Sequence, residues 1–320
     1  MPGDATIAHR ANPMLNYSLK RLASAIPTLL ILITVAFFLI RVAPGGPFDS
    51  EKALPPEIEA NLEAKYQLDD PLVVQYVRYL GDILVLDFGP SFHYRDWTVN
   101  QLIAQGAPVS FTLGGIALVL AFVVGVAIGV WAALRQNSPA DYVAMGVAMI
   151  GISIPNFVAA PLLVLVFAIV LGWLPAGGWD GSVQRMVLPA VALSLPMIAY
   201  VARITRGSMI EVLHSDFIRT ARAKGMPERD VILRHALKPA MLPVISYLGP
   251  AAAAILTGSV VIERIFTIPG IGSHFVQGAL NRDYTLVMGV VIFYGLLIIV
   301  LNYIVDLLYA WLDPRIRYDR

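Results

Sequence analysis

Six apolar runs, each long enough to cross a lipid bilayer, constrain this chain more than any other feature. The first is Leu22–Val42, about 20 residues, the length a helix needs to span a hydrocarbon core of roughly 30 Å. The others lie at roughly Val109–Leu134, Tyr142–Leu171, Met186–Ala202, Met241–Ile262 and Met288–Leu312. In hydrocarbon every backbone N–H and C=O must be satisfied inside its own segment, so runs of this length predict helices. Composition agrees: 58% of the 320 residues are hydrophobic and 14% charged, against about a quarter charged in soluble domains. The expected fold class is therefore all-α integral membrane, with six transmembrane helices. The run Leu22–Val42 exceeds a signal-peptide core and is followed by no small-residue cleavage site, so it reads as a retained span.

The polar segments divide the rest. Residues 1–16 read as a flexible tail, residues 17–108 as the first span plus a folded extracytoplasmic segment, residues 109–314 as a five-helix core, and residues 315–320 as a second tail. The segment Ala43–Pro108 is acidic on balance. Within it Pro55 and Pro56 open a helical pattern through Ile58, Leu62 and Tyr66, and Leu72, Tyr76, Tyr79, Leu80 and Ile83 form a second amphipathic run. Lys and Arg collect in the N-terminal tail, the Arg135–Asp141 turn, the stretch Arg203–Lys238 and the C-terminal Arg315, Arg317 and Arg320. That bias predicts cytoplasmic termini and a cytoplasmic central loop, residues 203–240.

The central loop has internal order that a merely topogenic loop does not need. One short helix is signed by Ser215 or Asp216 as N-cap, by Arg222 and Lys224 in its last turn, and by Gly225, which can turn left-handed after it. A second starts at Pro227, with Glu228 and Asp230 in its first turn and Arg234, His235 and Lys238 toward its end, and Pro239 is expected to stop it. The two make a helical knuckle outside the membrane.

In the spans, Gly125 and Gly129 form a small-xxx-small pair that serves either internal packing or a subunit interface. Prolines fall inside spans at Pro155, Pro161, Pro189, Pro196, Pro243 and Pro250. They read either as ordinary kinks or as the lining of a pathway, for which Pro155, Asn156, Ser194 and Pro196 are the candidates.

Absences narrow the energy source. The five histidines, His9, His93, His214, His235 and His274, fall outside the expected spans, with Glu263 and Asp306 at or near span ends; a proton-driven transporter needs such groups at midplane. No Gly-x-x-x-x-Gly-Lys-Ser/Thr loop is present to cradle phosphate. Ser153, Ser194, Ser246 and Ser259 lie at membrane depth without a histidine or lysine base, which disfavours an intramembrane hydrolase. With no cysteine, disulfides and thiolate metal sites are unavailable, and no catalytic or metal site is expected.

IRTARAKG followed by RHALKPAMLPV resembles the cytoplasmic loop of the integral-membrane subunits of bacterial ABC importers, in their peptide-uptake branch. The family pattern is Glu-Ala-Ala, three residues, Gly, nine residues, Ile-x-Leu-Pro. Arg219, Thr220 and Ala221 stand at Glu-Ala-Ala, Gly225 keeps its place, and His235, Ala236, Leu237 and Lys238 stand at Ile-x-Leu-Pro, with proline one step late at Pro239. LPPEIEANLEAKYQLDDP and DFGPSFHYRDWTVNQLI resemble the oligopeptide rather than the dipeptide branch, and the likeness extends through VIERIFTIPGIGSHFVQGALNRDY.

The resemblance implies the type I importer permease fold in the bacterial inner membrane. It also implies that Asp216, Phe217, Ile218, Arg219, Thr220, Ala221, Arg222, Ala223, Lys224 and Gly225 form the ATPase-coupling motif. The implied partners are a homologous second permease subunit, two cytoplasmic ABC ATPases that bind ATP and Mg, an extracytoplasmic peptide-binding protein and the peptide, with lipid around and no nucleic acid. Dipeptide, glutathione and nickel systems share much of the pattern.

Overall fold

The computed structural model describes residues 13–42 and 66–312. The expected tails, apart from residues 13–16, and the pattern at Pro55, Pro56, Ile58 and Leu62 lie outside these residues. Among the described residues the elements are helical: α1 (Pro13–Val42), α2 (Leu72–Leu84), α3 (Val99–Leu134), α4 (Pro139–Ser153), α5 (Asn156–Val170), α6 (Val183–Leu213), α7 (Asp216–Ala223), α8 (Glu228–Ile265), α9 (Ile271–Leu280) and α10 (Tyr284–Leu312).

Five of these helices, α1, α3, α6, α8 and α10, are long and apolar enough to cross a membrane, and α4 with α5 makes a sixth crossing if the bent pair is one span. The expected span Tyr142–Leu171 is built as two helices that meet at 105°. Pro155 explains the break. A residue before proline is pushed out of the helical region, and Ile154 adopts φ −94°, ψ 117°. Pro161 then removes another N–H, and the helix widens to π-type turns over Val164–Val170.

Two other boundaries move for local reasons. Helix α1 starts at Pro13, inside the stretch read as a tail. Helix α3 starts at Val99, inside the stretch read as extracytoplasmic. There Thr98 and Gln101 form a reciprocal capping box, with Gln101 N–H donating to Thr98 Oγ1 at 3.2 Å and Thr98 N–H to Gln101 Oε1 at 3.0 Å.

The core centres on α6, which α3, α4 and α8 pack against. Small residues set the spacing: a Cβ on Gly125 would meet Val201 Cβ at 2.7 Å, and one on Gly129 would meet Thr205 Cβ at 2.6 Å. The glycine pair therefore serves internal packing between α3 and α6, the first of its two readings. At the other end Phe88, Val99, Ile271, Leu286 and Val290 form a cluster joining the segment between α1 and α3 to α3, α9 and α10.

Candidate functional site

Helix α7 is built as a short lever with one face locked and one face free. Its apolar residues Ile218 and Ala221 fall three apart, on one side, and both are buried against Met209 of α6, Ala133 of α3, and Val231, Ala236 and Ala240 of α8. The rest of its surface is open: Asp216, Arg219, Thr220, Arg222 and Lys224 are exposed, and so is Phe217, at 50%, at the rim of the buried face. An aromatic ring left half in water is costly unless something covers it.

Both ends of α7 are fixed. At the C-terminus Gly225 has φ +74°, a left-handed turn that glycine adopts without steric cost. Its N–H donates to the Arg222 carbonyl at 2.9 Å and the Met226 N–H to the Ala221 carbonyl at 3.4 Å, the two bonds of a Schellman motif. At the N-terminus Ser215 occupies the cap position, but its hydroxyl donates backward to the Val212 carbonyl at 2.6 Å and caps nothing. Asp216 instead sits in the first turn and pairs with Arg219 at 2.5 Å.

Arg222 and Glu228 close the turn around Gly225. Arg222 Nη2 lies 2.5 Å from Glu228 Oε1, and Nε lies 3.1 Å from Oε2. The hydrogen bond to Glu228 holds the Arg222 guanidinium above its ordinary pKa, and the pair spans the two sides of the knuckle. These residues, with His214 and the Arg135–Pro139 turn, line an open cleft of about 710 Å³.

The second half of the motif corrects one expectation. Pro239 does not stop a short helix: Glu228–Asp230 passes into wide π-type turns over Val231–Ala236 and then into the straight span Leu237–Ile265. The His235 carbonyl, which the Pro239 ring would otherwise strike, belongs to the widened turn. His235, Ala236, Leu237, Lys238 and Pro239 are therefore the root of α8, with Ala236 buried and Lys238 exposed. The knuckle is continuous with a span on each side.

Of the pathway candidates, Pro155 and Asn156 sit at the α4–α5 break, and Ser194 and Pro196 lie midway along α6. Helix α4 approaches α6 closely before the break, since a Cβ on Gly151 would lie 2.6 Å from the Leu195 carbonyl oxygen. Ser194 is fully buried, with its hydroxyl donated to the Val191 carbonyl at 2.9 Å. Asn156 Oδ1 is buried without a hydrogen-bond partner.

Three buried carboxylates were not singled out from sequence. Asp141, 1% exposed, accepts two bonds from Arg206 at 2.6 Å each and ties α4 to α6. Glu263 accepts from Ser110 Oγ at 2.7 Å, Ser259 Oγ at 2.8 Å and the Ser273 N–H at 3.2 Å, joining α3, α8 and the first turn of α9. Asp283 accepts from Ser91 Oγ, from the Phe92 and His93 N–H groups at 3.2 Å each and from the Leu286 N–H at 3.1 Å, stapling the loop between α2 and α3 to α10. Only the contrast of an acid beside an apolar run marks these positions in sequence. Among the described residues no group of His, Cys, Asp or Glu could hold a metal ion.

Residues 125–318 match the model of the binding-protein-dependent transport system inner membrane component, and residues 14–112 match the model of that component's N-terminal part. The chain belongs to this family of binding-protein-dependent transport permeases. The oligopeptide transport system permease protein OppB of Salmonella typhimurium is 61% identical over 95% of this chain and 100% of its own length. The dipeptide transport system permease protein DppB of Bacillus subtilis is 47% identical over 96% and 99%. Among solved structures, an inward-facing MetNI methionine ABC transporter chain superposes with a TM-score of 0.58 at 15% identity, over 67% of this chain and 97% of that one. An amino acid ABC transporter chain gives 0.52 at 17%, over 66% and 94%. These two likenesses are of fold alone.

Proposed function

We propose that this permease forms half of the transmembrane pathway of an ATP-driven importer of oligopeptides, and that α7 is where its cytoplasmic ATPase engages it. The observation that carries the reading is the half-exposed Phe217 at the rim of the face, Ile218 and Ala221, that is locked into the core. Such a helix presents an apolar ring to a partner while remaining rigidly joined to three spans. Closure of two ATPases, which bind the ATP and Mg, would push on α7; α6 and α8, its direct neighbours in the chain, would tilt with it as rigid bodies, opening the pathway to alternate sides.

The oligopeptide assignment is supported by the 61% identity to an oligopeptide permease against 47% to a dipeptide one. In the same reading a homologous second permease completes the pathway, and an extracytoplasmic binding protein delivers the peptide. In this reading Pro155 and Asn156 flank the pathway at the span break, where the Asn156 oxygen is buried without a hydrogen-bond partner, with Ser194 and Pro196 behind them.

The absence of cysteine supplies the test. Phe217→Cys, alone in the chain, is expected to cross-link to the ATPase in inner-membrane vesicles and to lose reactivity toward a water-soluble maleimide when the ATPase is present. Equal labelling with and without the ATPase would sink the assignment of α7.

A further inference from the structure

Helix α2 has three faces, and nothing among the described residues covers one of them. Tyr76, Leu80 and Ile83 turn toward α1. Gln75, Arg78 and Asp82 turn, with Arg41 and Tyr79, to a cavity of about 230 Å³. Val73, Val77 and Leu84 are 69%, 61% and 86% exposed, and at 100° per residue they fall within about 40° of one another. Val85 and Leu86 continue the exposure past the helix end.

The depth of this face follows from α1. The Arg21–Asp306 pair, at 2.5 Å, marks one end of the span and Arg41 the other. The intervening helix measures roughly 30 Å, one hydrocarbon thickness. Thr34 therefore lies about 10 Å inside the outer boundary, and Tyr76 Oη of α2 lies 2.6 Å from Thr34 Oγ1. Farther along, Tyr79 contacts the Phe37 ring at 6.0 Å, and Leu80 and Ile83 pack on the cluster that contains Ile33. Gln75, at the start of α2, accepts from Arg41 Nε at 3.2 Å. Helix α2 thus begins level with Arg41, and past its other end the Leu86 carbonyl accepts from Asn100 Nδ2 in the first turn of α3 at 2.6 Å, so the helix lies along the outer boundary with Tyr76 reaching inward.

We propose that α2 is sunk in the outer leaflet, with Val73, Val77 and Leu84 against acyl chains and Gln75, Arg78 and Asp82 facing the polar cavity. The stripe is wholly aliphatic. It lacks the aromatic and arginine anchors that mark protein interfaces, and its depth matches lipid rather than a water-borne binding protein. An amphipathic helix held this way anchors the extracytoplasmic segment at a fixed height above the pathway.

Single-cysteine variants Val77→Cys, Leu84→Cys and Asp82→Cys, each in the assembled complex reconstituted in phosphatidylcholine vesicles, test this. With a bimane label, lipids brominated on their acyl chains are expected to remove about half or more of the signal at Val77 and Leu84 and little at Asp82, as for a helix lying in the interface. A membrane-impermeant maleimide should show the opposite order. The substitutions are small and polar-neutral, and wild-type ATPase activity of each complex confirms folding. The readout reports depth whatever partner α7 binds, so it stands or falls separately from the coupling assignment. Fast maleimide reaction without quenching at Val77 and Leu84 overturns the proposal, as does protection that appears only with the binding protein. Absence of both quenching and labelling also overturns it, and assigns the stripe to the second permease.

Discussion

At the residue scale, Gly225 shows how one backbone angle can end a helix. Its φ of +74° lies in the left-handed region, and an added Cβ would meet nothing within 4 Å. The obstacle to substitution is therefore conformational, about 1–2 kcal/mol for most L-residues, and not steric within this chain. Gly225→Ala and Gly225→Leu carry the same backbone cost; any further loss with leucine measures crowding in a partner's cleft. Gly225→Leu is expected to assemble but to uncouple ATP hydrolysis from peptide uptake in reconstituted complexes, Gly225→Ala to do so less, and Gly225→Asn, which tolerates this region, least. A Gly225→Leu complex that transports like the parent would reduce the knuckle to a topogenic loop. Asp141 belongs to the same scale: its charge is buried only because Arg206 meets it with two bonds and the Asn137 N–H adds a third at 2.9 Å, which offsets the cost of desolvation.

At the element scale, the contact of α3 with α6 depends on glycine. Gly129 faces the Ala202 carbonyl, which a Cβ would approach to 2.6 Å, whereas Gly115 on the same helix has nothing within 4 Å. Gly129→Leu must push the two helices apart, at a cost of about 1–3 kcal/mol or more for overpacking. Gly115→Leu is expected to be close to neutral. Thermal unfolding in detergent, followed by loss of the monodisperse gel-filtration peak, should separate the two; equal melting temperatures would show that the α3–α6 spacing is not held by this glycine. The break between α4 and α5 is the other lesson at this scale, since a hydrophobic run can carry enough apolar residues for one span and still be bent at Pro155.

At the scale of the whole molecule, orientation decides which surface meets which partner. The positively charged segments 135–141 and 203–238 flank the same ends of α3, α4, α6 and α8, while the Ser91–Asp283 staple and α9 gather at the other end. A reporter fused after Asp69 is expected to be active only outside the cytoplasm, and one fused at Glu228 only inside. The reverse pattern would remove α7 from reach of any cytoplasmic ATPase. Among the described residues five long apolar helices and one bent pair gather α7 at one end of the bundle and the Ser91–Asp283 staple at the other.

Sequence alone determined what depends on local chemistry. Apolar length specified spans, because hydrocarbon leaves the backbone no partner but itself, and the glycine after Arg222, Ala223 and Lys224 specified a left-handed helix end, because that conformation is a property of one residue. The resemblance of residues 216–239 located the knuckle for the same reason, its signal being contiguous. What only the tertiary structure decided is everything that joins residues distant in the chain. Pro239 was read as a stop because proline lacks an N–H, yet the widened turn before it lets the helix continue into the span. Glu263 stands near a span end in sequence and nothing there marks Asp283, and both become buried only where Ser110, 153 residues away, and Ser91, 192 residues away, close on them. The aliphatic face of α2 was legible as amphipathic, but its depth was not, because depth is set by Tyr76 meeting Thr34 across the segment that separates them.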